Sequence, residues 1–442
     1  MKYKKYPSYK DSGVEWLGEI PSEWEKIPAR AIVSNLMKKN TDNKDDRYLS
    51  LVANIGVIRY EDKGDVGNKK PDDLSKCKIV NKGNLIINSM NYSIGSFGMS
   101  QYDGICSPVY VVLDINKIVI DSKYALRIFE NSGYQKFISS FGNGILAHRA
   151  AIGWDEIKGS YMPLPSIHEQ QQIANFLDKA TAKIDTLIEK QTKQIELLKE
   201  KRQAVISHAV TKGINPNVPM KDSGVEWLGE IPEHWEGSKL KFYTNVKGRI
   251  GFRGYTKDDL VSKEEGALVI GASEMNNNAK LEIKKPQYIS WYKYYESPEI
   301  ILNQGDLLFV QRGSTVGKVA HIDFDIEEAT INPSLVVLKR IKLNPFYLKY
   351  YLLSNLIKAI VKVETSNTAI PMISQEQIGN YTLSFPKKED EQQQIVNYLD
   401  EKTSKIDILI EKSNKSIELL KEKRIALISA AVSGKIDVRE FE

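Results

Sequence analysis

Gly313-Ser-Thr-Val-Gly317-Lys318-Val319 has the glycine-rich, lysine-ended form of a phosphate-binding loop, but three residues separate its glycines. The nucleotide-binding motif needs four, and it needs Ser or Thr for Mg²⁺ where Val319 stands. The residues that follow read as a strand, so no helix N-terminus would face a phosphate. Asn332-Pro333-Ser334-Leu335 lacks the second proline and the aromatic of the Asn-Pro-Pro-aromatic element used in adenine methylation, and no glycine-rich cofactor loop accompanies it. Glu61-Asp-Lys63, Glu156-Ile-Lys158 and Glu282-Ile-Lys284 match half a nuclease motif, as chance allows at 27% charged residues. His148, His168, His208, His234 and His321 show no metal-ligand spacing with Cys or Asp/Glu. The expectation is no catalytic residue, no metal site and no cofactor bound by this chain.

Polar loops offer a different chemistry. Arg249, Arg253 and Tyr255 lie in or beside the glycine-spaced stretch Gly248-Arg-Ile-Gly-Phe-Arg-Gly254. Arg312, Ser314, Thr315 and Lys318 occupy the near-miss loop, and Asn88, Ser89, Asn91 and Tyr92 occupy a comparable loop earlier, with His148-Arg149 beyond it. Asn and Arg can read adenine and guanine edges bidentately, whereas Lys, Ser and Thr more often hold phosphates. These eleven contact candidates, Arg149 included and Tyr255 left aside, suit contact with nucleic acid.

The elements that position them come in two copies. Lys10-Asp-Ser-Gly-Val-Glu-Trp-Leu-Gly-Glu-Ile-Pro21 recurs unchanged as Lys221 to Pro232. Glu169–Thr211 returns as Glu391–Ser433, with 30 identities in 43 positions. Between them, blocks 22–168 and 233–390 have diverged, yet Gly83-Asn-Leu85-Ile-Ile aligns with Gly305-Asp-Leu307-Leu-Phe and Gly95 then falls on Gly317. Each block therefore carries a strand, a glycine-bearing polar loop and another strand. Tyr110–Leu113 and Leu335–Leu338 read as strands, and 345–361 as helical.

The long repeat is free of Gly and Pro until Gly213 and Gly434. A 4,3 alternation runs through Ile184, Ile188, Gln191, Ile195, Leu198, Arg202, Val205 and Ala209, and again through Ile406, Ile410, Ser413, Ile417, Leu420, Arg424, Leu427 and Ala431. Such a seam predicts a coiled coil. A homodimeric zipper would use it between chains, but two near-identical helices in one chain can pair first, and connectivity then makes the pair antiparallel. Arg202 and Arg424 sit on the seam, to set register or to face a partner. The expected fold is α+β: two mixed α/β recognition domains separated by two long antiparallel coiled-coil helices, with a pseudo-twofold internal repeat. The segments are 1–168, helix 169–212, linker 213–235, block 236–390, and helix and tail 391–442.

Composition adds limits. With 442 residues, 41% apolar residues and a net charge of +5, the chain is an ordinary globular protein whose charge permits nucleic acid without requiring it. No apolar stretch follows the charged residues Met1–Lys5, so no secretory signal is expected, and no run approaches a membrane span. Cys77 and Cys106 suit a reducing cytoplasm.

Together the Asp-Ser-Gly-Val-Glu-Trp-Leu-Gly-Glu-Ile-Pro segment, the proline-marked approach to Glu-Gln-Gln-Gln-Ile and the Ile-Glu-Leu-Leu-Lys-Glu-Lys-Arg helix resemble the specificity subunit of a Type I restriction–modification system, over essentially the whole chain. The resemblance implies that each block is a target recognition domain and that the helices are spacers docking two methyltransferase (modification) subunits. It implies that S-adenosylmethionine, ATP and Mg²⁺ belong to the modification and restriction subunits and not to this chain. An asymmetric, bipartite double-stranded target follows from two unlike modules. The alternative is a coiled-coil interaction scaffold without DNA specificity.

Overall fold

The computed structural model describes residues 3–66, 69–142, 151–366 and 370–441. The chain divides into two compact units: Met1–Thr192 with Lys415–Glu442, and Lys193–Asn414. The helices that carry the frame are α1 (Ser122–Glu130), α2 (Ile167–Lys212), α3 (Pro345–Leu352) and α4 (Glu389–Val432). The unit boundaries cut α2 and α4 midway, so each unit owns one recognition block and half of each long helix. The segmentation into separate helices and blocks differs from this because the blocks complete their cores on helix residues.

The first unit is built on a four-stranded antiparallel sheet, β1 (Val33–Asn35), β2 (Leu85–Asn88), β3 (Phe97–Met99) and β4 (Tyr110–Ile115), in the order β1-β4-β2-β3. Alternate side chains divide between two cores, as the two-residue period of a strand requires. Leu85, Ile87, Val111 and Leu113 join Tyr124 and Phe129 and the long-helix residues Ile173, Leu177, Ile184, Leu427, Ile428 and Ala431. Ile86, Tyr110 and Val112 face Leu49, Leu51 and Val57 of a separate hairpin.

The second unit repeats the plan with β5 (Asn245–Gly248), β6 (Leu307–Val310), β7 (Val319–His321) and β8 (Leu335–Lys339), in the order β5-β8-β6-β7. Leu307, Phe309, Val336 and Leu338 pack with Ile206, Ala209, Ile395 and Leu399, while Leu308, Val310, Leu335 and Val337 meet a second four-stranded sheet through Leu268, Ile270, Ala329 and Ile331. Equivalent sites carry different polar pairs. Asn84 donates to Asp114 at 2.9 Å in the first unit, and Lys339 pairs with Asp306 at 2.8 Å in the second. The helix expected over 345–361 is two helices: the first closes on Leu353, and Ser354 N-caps the next, Asn355–Thr365, accepting from the Ile357 amide.

The Glu-Gln-Gln-Gln-Ile repeat has a structural task in each unit. Buried Gln170 accepts from the Asp121 amide and donates to the Pro165 carbonyl, and Asp121 N-caps α1. Buried Gln392 does the same with Asn344, the N-cap of α3, and Pro386. Each glutamine thus ties a recognition-block helix to the start of a long helix.

Both long helices end on glycine in the left-handed region, Gly213 at φ +82° and Gly434 at φ +70°. Each glycine lies against the proline and tryptophan that close the short repeat of its own unit, Pro232 and Trp235 or Pro21 and Trp24.

Candidate nucleic-acid interface

The loops between β2 and β3 and between β6 and β7 rest on the same backbone frame. The Asn88 amide donates to Ser96 at 3.0 Å, and the Val310 amide to Lys318 at 2.8 Å. A distant segment fastens each loop: Ile152 donates to the Ser89 carbonyl at 3.0 Å, and Ile373 to the Gln311 carbonyl at 2.9 Å. Gly95 and Gly317 hold the equivalent turn at φ +89° and +87°. In the second unit a Cβ on Gly317 would lie 3.0 Å from Val361, so the turn needs glycine for space as well as for φ.

Side-chain directions correct three of the expected contacts, two at the first of these loops and Arg249 just past β5. Tyr92 is a core residue, 1% exposed; its hydroxyl donates to the Phe129 carbonyl at 2.6 Å, and burial pushes its pKa well above the ordinary value. Asn88 is buried, with its carboxamide oxygen accepting from the Met90 amide. Arg249 is also buried; it donates to Thr330 Oγ1 at 3.1 Å and lies over the Tyr255 ring, and burial lowers its pKa. These side chains spend their polar groups inside the fold and hold loops in place; they do not offer them to a ligand.

The other candidates stand differently. Ser89 donates its hydroxyl to the Val109 carbonyl, and Arg253 pairs with Glu299 at 3.5 Å. Asn91 and Lys318 are half-buried, and Arg312, Ser314 and Thr315 are exposed. Arg149 lies outside the described residues. Two surface features escaped the sequence reading. Met90, 49% exposed, takes the loop position that Arg312 takes in the second unit. A cleft of about 430 Å³ in the first unit brings Arg47, Arg59 and Tyr102 together, with Arg59 over the Tyr102 ring and Arg47 paired to Asp45 at 2.8 Å. Neither carries a motif; only the fold gathers Arg47, Arg59 and Tyr102 around one cleft.

The seam residues are placed as the 4,3 pattern predicts. Ile184, Ile195 and Ile406 are buried, and Ile188, Leu198, Ile410, Ile417 and Leu420 half-buried. Within the first unit the start of α2 packs against the end of α4, and within the second the end of α2 packs against the start of α4, an antiparallel pairing in each. The seam arginines are register locks. Arg202 pairs with Asp407, and Arg424 with Asp185 and Glu130, at 2.8–3.1 Å. Among the described residues there is no cluster of three or more His, Cys, Asp or Glu placed to hold a metal, and no helix long and apolar enough to cross a membrane.

Residues 21–197 and 232–419 each match the family model of the Type I restriction modification DNA specificity domain. The chain belongs to that family. Its two family domains each span a recognition block and much of the long helix that follows. Type I restriction enzyme MjaVIII specificity subunit of Methanocaldococcus jannaschii is 24% identical over 431 residues, covering 96% of this chain and 95% of that one. The MjaX specificity subunit of the same organism is 24% identical over 461 residues, with 99% of each chain covered. In fold, this family member is similar to a chain solved in work on complex assembly and conformational transition of the type I R-M system (TM-score 0.70, 14% identity, 93% of this chain and 98% of that one). It is also similar to the HsdS subunit from Thermoanaerobacter tengcongensis (TM-score 0.52, 16% identity, 94% and 98%).

Proposed function

We propose that this chain is the DNA sequence-specificity subunit of a Type I restriction–modification complex, in which each recognition block reads one half of an asymmetric, bipartite double-stranded target. The observation that carries this reading is one sheet-and-loop frame made twice with different side chains on its loops. Arg312, Ser314, Thr315 and Lys318 stand in the second loop where Met90, Tyr92, Ser93 and Ser96 stand in the first. A common frame with unlike loops suits two readers of different half-sites.

The long helices serve as the spacer. At 1.5 Å per residue the 46-residue α2 is about 69 Å long, enough to hold the half-sites more than one duplex turn of about 34 Å apart. The exposed faces of the helices dock two methyltransferase subunits. The chain itself is non-catalytic: S-adenosylmethionine, ATP and Mg²⁺ act in the modification and restriction subunits, in the cytoplasm.

The test is to assemble the chain with its modification subunits and map methylated adenines on a genome. A single bipartite motif with an unread spacer is expected, and no methylation by the chain alone with S-adenosylmethionine. Scattered methylation, or none with the full complex, would overturn the reading.

A further inference from the structure

The exposed arginine of the β6–β7 loop is placed differently from the other arginines of its unit. Arg202 is spent on Asp407, Arg249 on Thr330 and the Ile331 carbonyl, and Arg253 on Glu299. Arg340 lies past the far end of β8, away from the loop. The guanidinium of Arg312 has no hydrogen-bond or ion-pair partner among the described residues, so its five donors are unspent.

Its backbone is the opposite of free. The Gln311 and Arg312 amides both donate to the Ser334 carbonyl, at 2.9 and 3.2 Å, and the Gly313 amide donates to Pro371 at 3.0 Å. Arg312 forms a bridge to Met372, and Ile373 closes the other side on Gln311. Two separate segments therefore fix the Cα while the side chain projects freely. Met372 and Ile370, 52% and 57% exposed, give the same spot an apolar edge.

We propose that Arg312 reads a guanine of the second unit's half-site, its guanidinium fork donating to O6 and N7 in the major groove. The inference rests on the reading of this chain as a DNA-specificity subunit and deepens it. A base reader needs a fixed origin and unspent, coplanar donors, and a phosphate contact needs only charge. Lys318, half-buried at the base of the same loop, suits the phosphate role. The same frame position in the first unit holds Met90, whose side chain has no donor. The guanine contact therefore belongs to one half-site alone.

Arg312→Ala and Arg312→Lys, each assembled with the modification subunits, test this on a library of duplexes varied at every target position. The expected result is loss of preference for guanine at one position of one half-site, by about 10- to 100-fold. The other half-site and the spacer stay as in the wild type. Lys should not restore the preference, because it keeps the charge without the fork. Lys318→Ala should weaken binding to all sequences alike and leave the motif intact. Uniform weakening by Arg312→Ala that Lys restores would make Arg312 a phosphate contact and overturn the proposal, as would an unchanged motif in both variants. Because the exposed Arg312 guanidinium holds no partner among the described residues, thermal unfolding of both variants should match the wild type. If the wild-type complex shows no bipartite motif at all, the specificity reading itself fails, whatever Arg312 does.

Discussion

Arg202 of α2 grips Asp407 of α4 with Nε–Oδ1 at 2.9 Å and Nη2–Oδ2 at 3.3 Å, and the duplicated residues reverse the roles, with Arg424 of α4 on Asp185 of α2 at 3.1 Å. A two-pronged contact has one favourable spacing along the helix axis, so the Arg202–Asp407 pair fixes helix register inside the second unit, while Arg424 makes a single contact to Asp185 and sends its Nη1 to Glu130 of α1. The Arg202–Asp407 pair should show a coupling energy of about 1 kcal/mol in a double-mutant cycle of alanine variants. The exchange Arg202→Asp with Asp407→Arg should recover most of what either single change loses. Urea unfolding provides the measurement, and additive single-mutant losses would remove the register role.

Gln392→Leu strips partners from the buried Asn344 amide and Pro386 carbonyl at once. Leaving buried polar groups unsatisfied costs about 1–3 kcal/mol each. A lower urea midpoint for the second unit is expected, with proteolysis first appearing around 344–386.

Gly434→Ala should cost more than Gly213→Ala. Both need a positive φ, a penalty of roughly 1–2 kcal/mol for a residue with a Cβ. At Gly434 the new methyl would also collide with Cδ and Cγ of Pro21, whereas at Gly213 the nearest atom is 3.5 Å away. Melting temperatures of the two variants rank the costs directly.

His321 gives the second unit a pH dependence. Both ring nitrogens are buried without partners among the described residues, and burial, with help from Lys349, lowers its pKa to about 4. The unfolded imidazole takes up its proton near pH 6.5, before the folded one can. Stability from this site is therefore complete above about pH 6.5 and is lost as pH falls toward 4, on the order of 3 kcal/mol in all. The first unit carries Met99 at the same ladder position, opposite Leu85 as His321 is opposite Leu307. His321→Met should flatten the pH dependence of unfolding between pH 4 and 6.5.

Inserting about four residues, one helical turn, at the midpoint of α2 should lengthen the recognised spacer while leaving both half-sites unchanged. Methylated-adenine mapping reads both quantities. A new half-site with the old spacer would defeat the ruler.

Regular elements were legible because their side chains repeat with the element's own period. The seam from Ile184 to Ala209 and its copy are buried or half-buried at every position, and the strands Tyr110–Ile115 and Leu335–Lys339 cover the β-branched runs that announced them. The break before Ser354 is not legible because the apolar run continues past it, and capping overrides the run. A loop residue's type does not say which way its side chain points.

The sequence by itself determined the duplication, the helix seam, the shared strand–loop–strand skeleton and the absence of a complete catalytic motif, since each is a matter of spacing along the chain. Only the tertiary structure decided that Tyr92, Asn88 and Arg249 turn inward while Arg312 and Met90 face out. Those directions depend on where a core lies and on amides some sixty residues away, at Ile152 and Ile373, that fasten each loop. Local periodicity carries no record of such contacts, because the partner is chosen by packing and not by spacing.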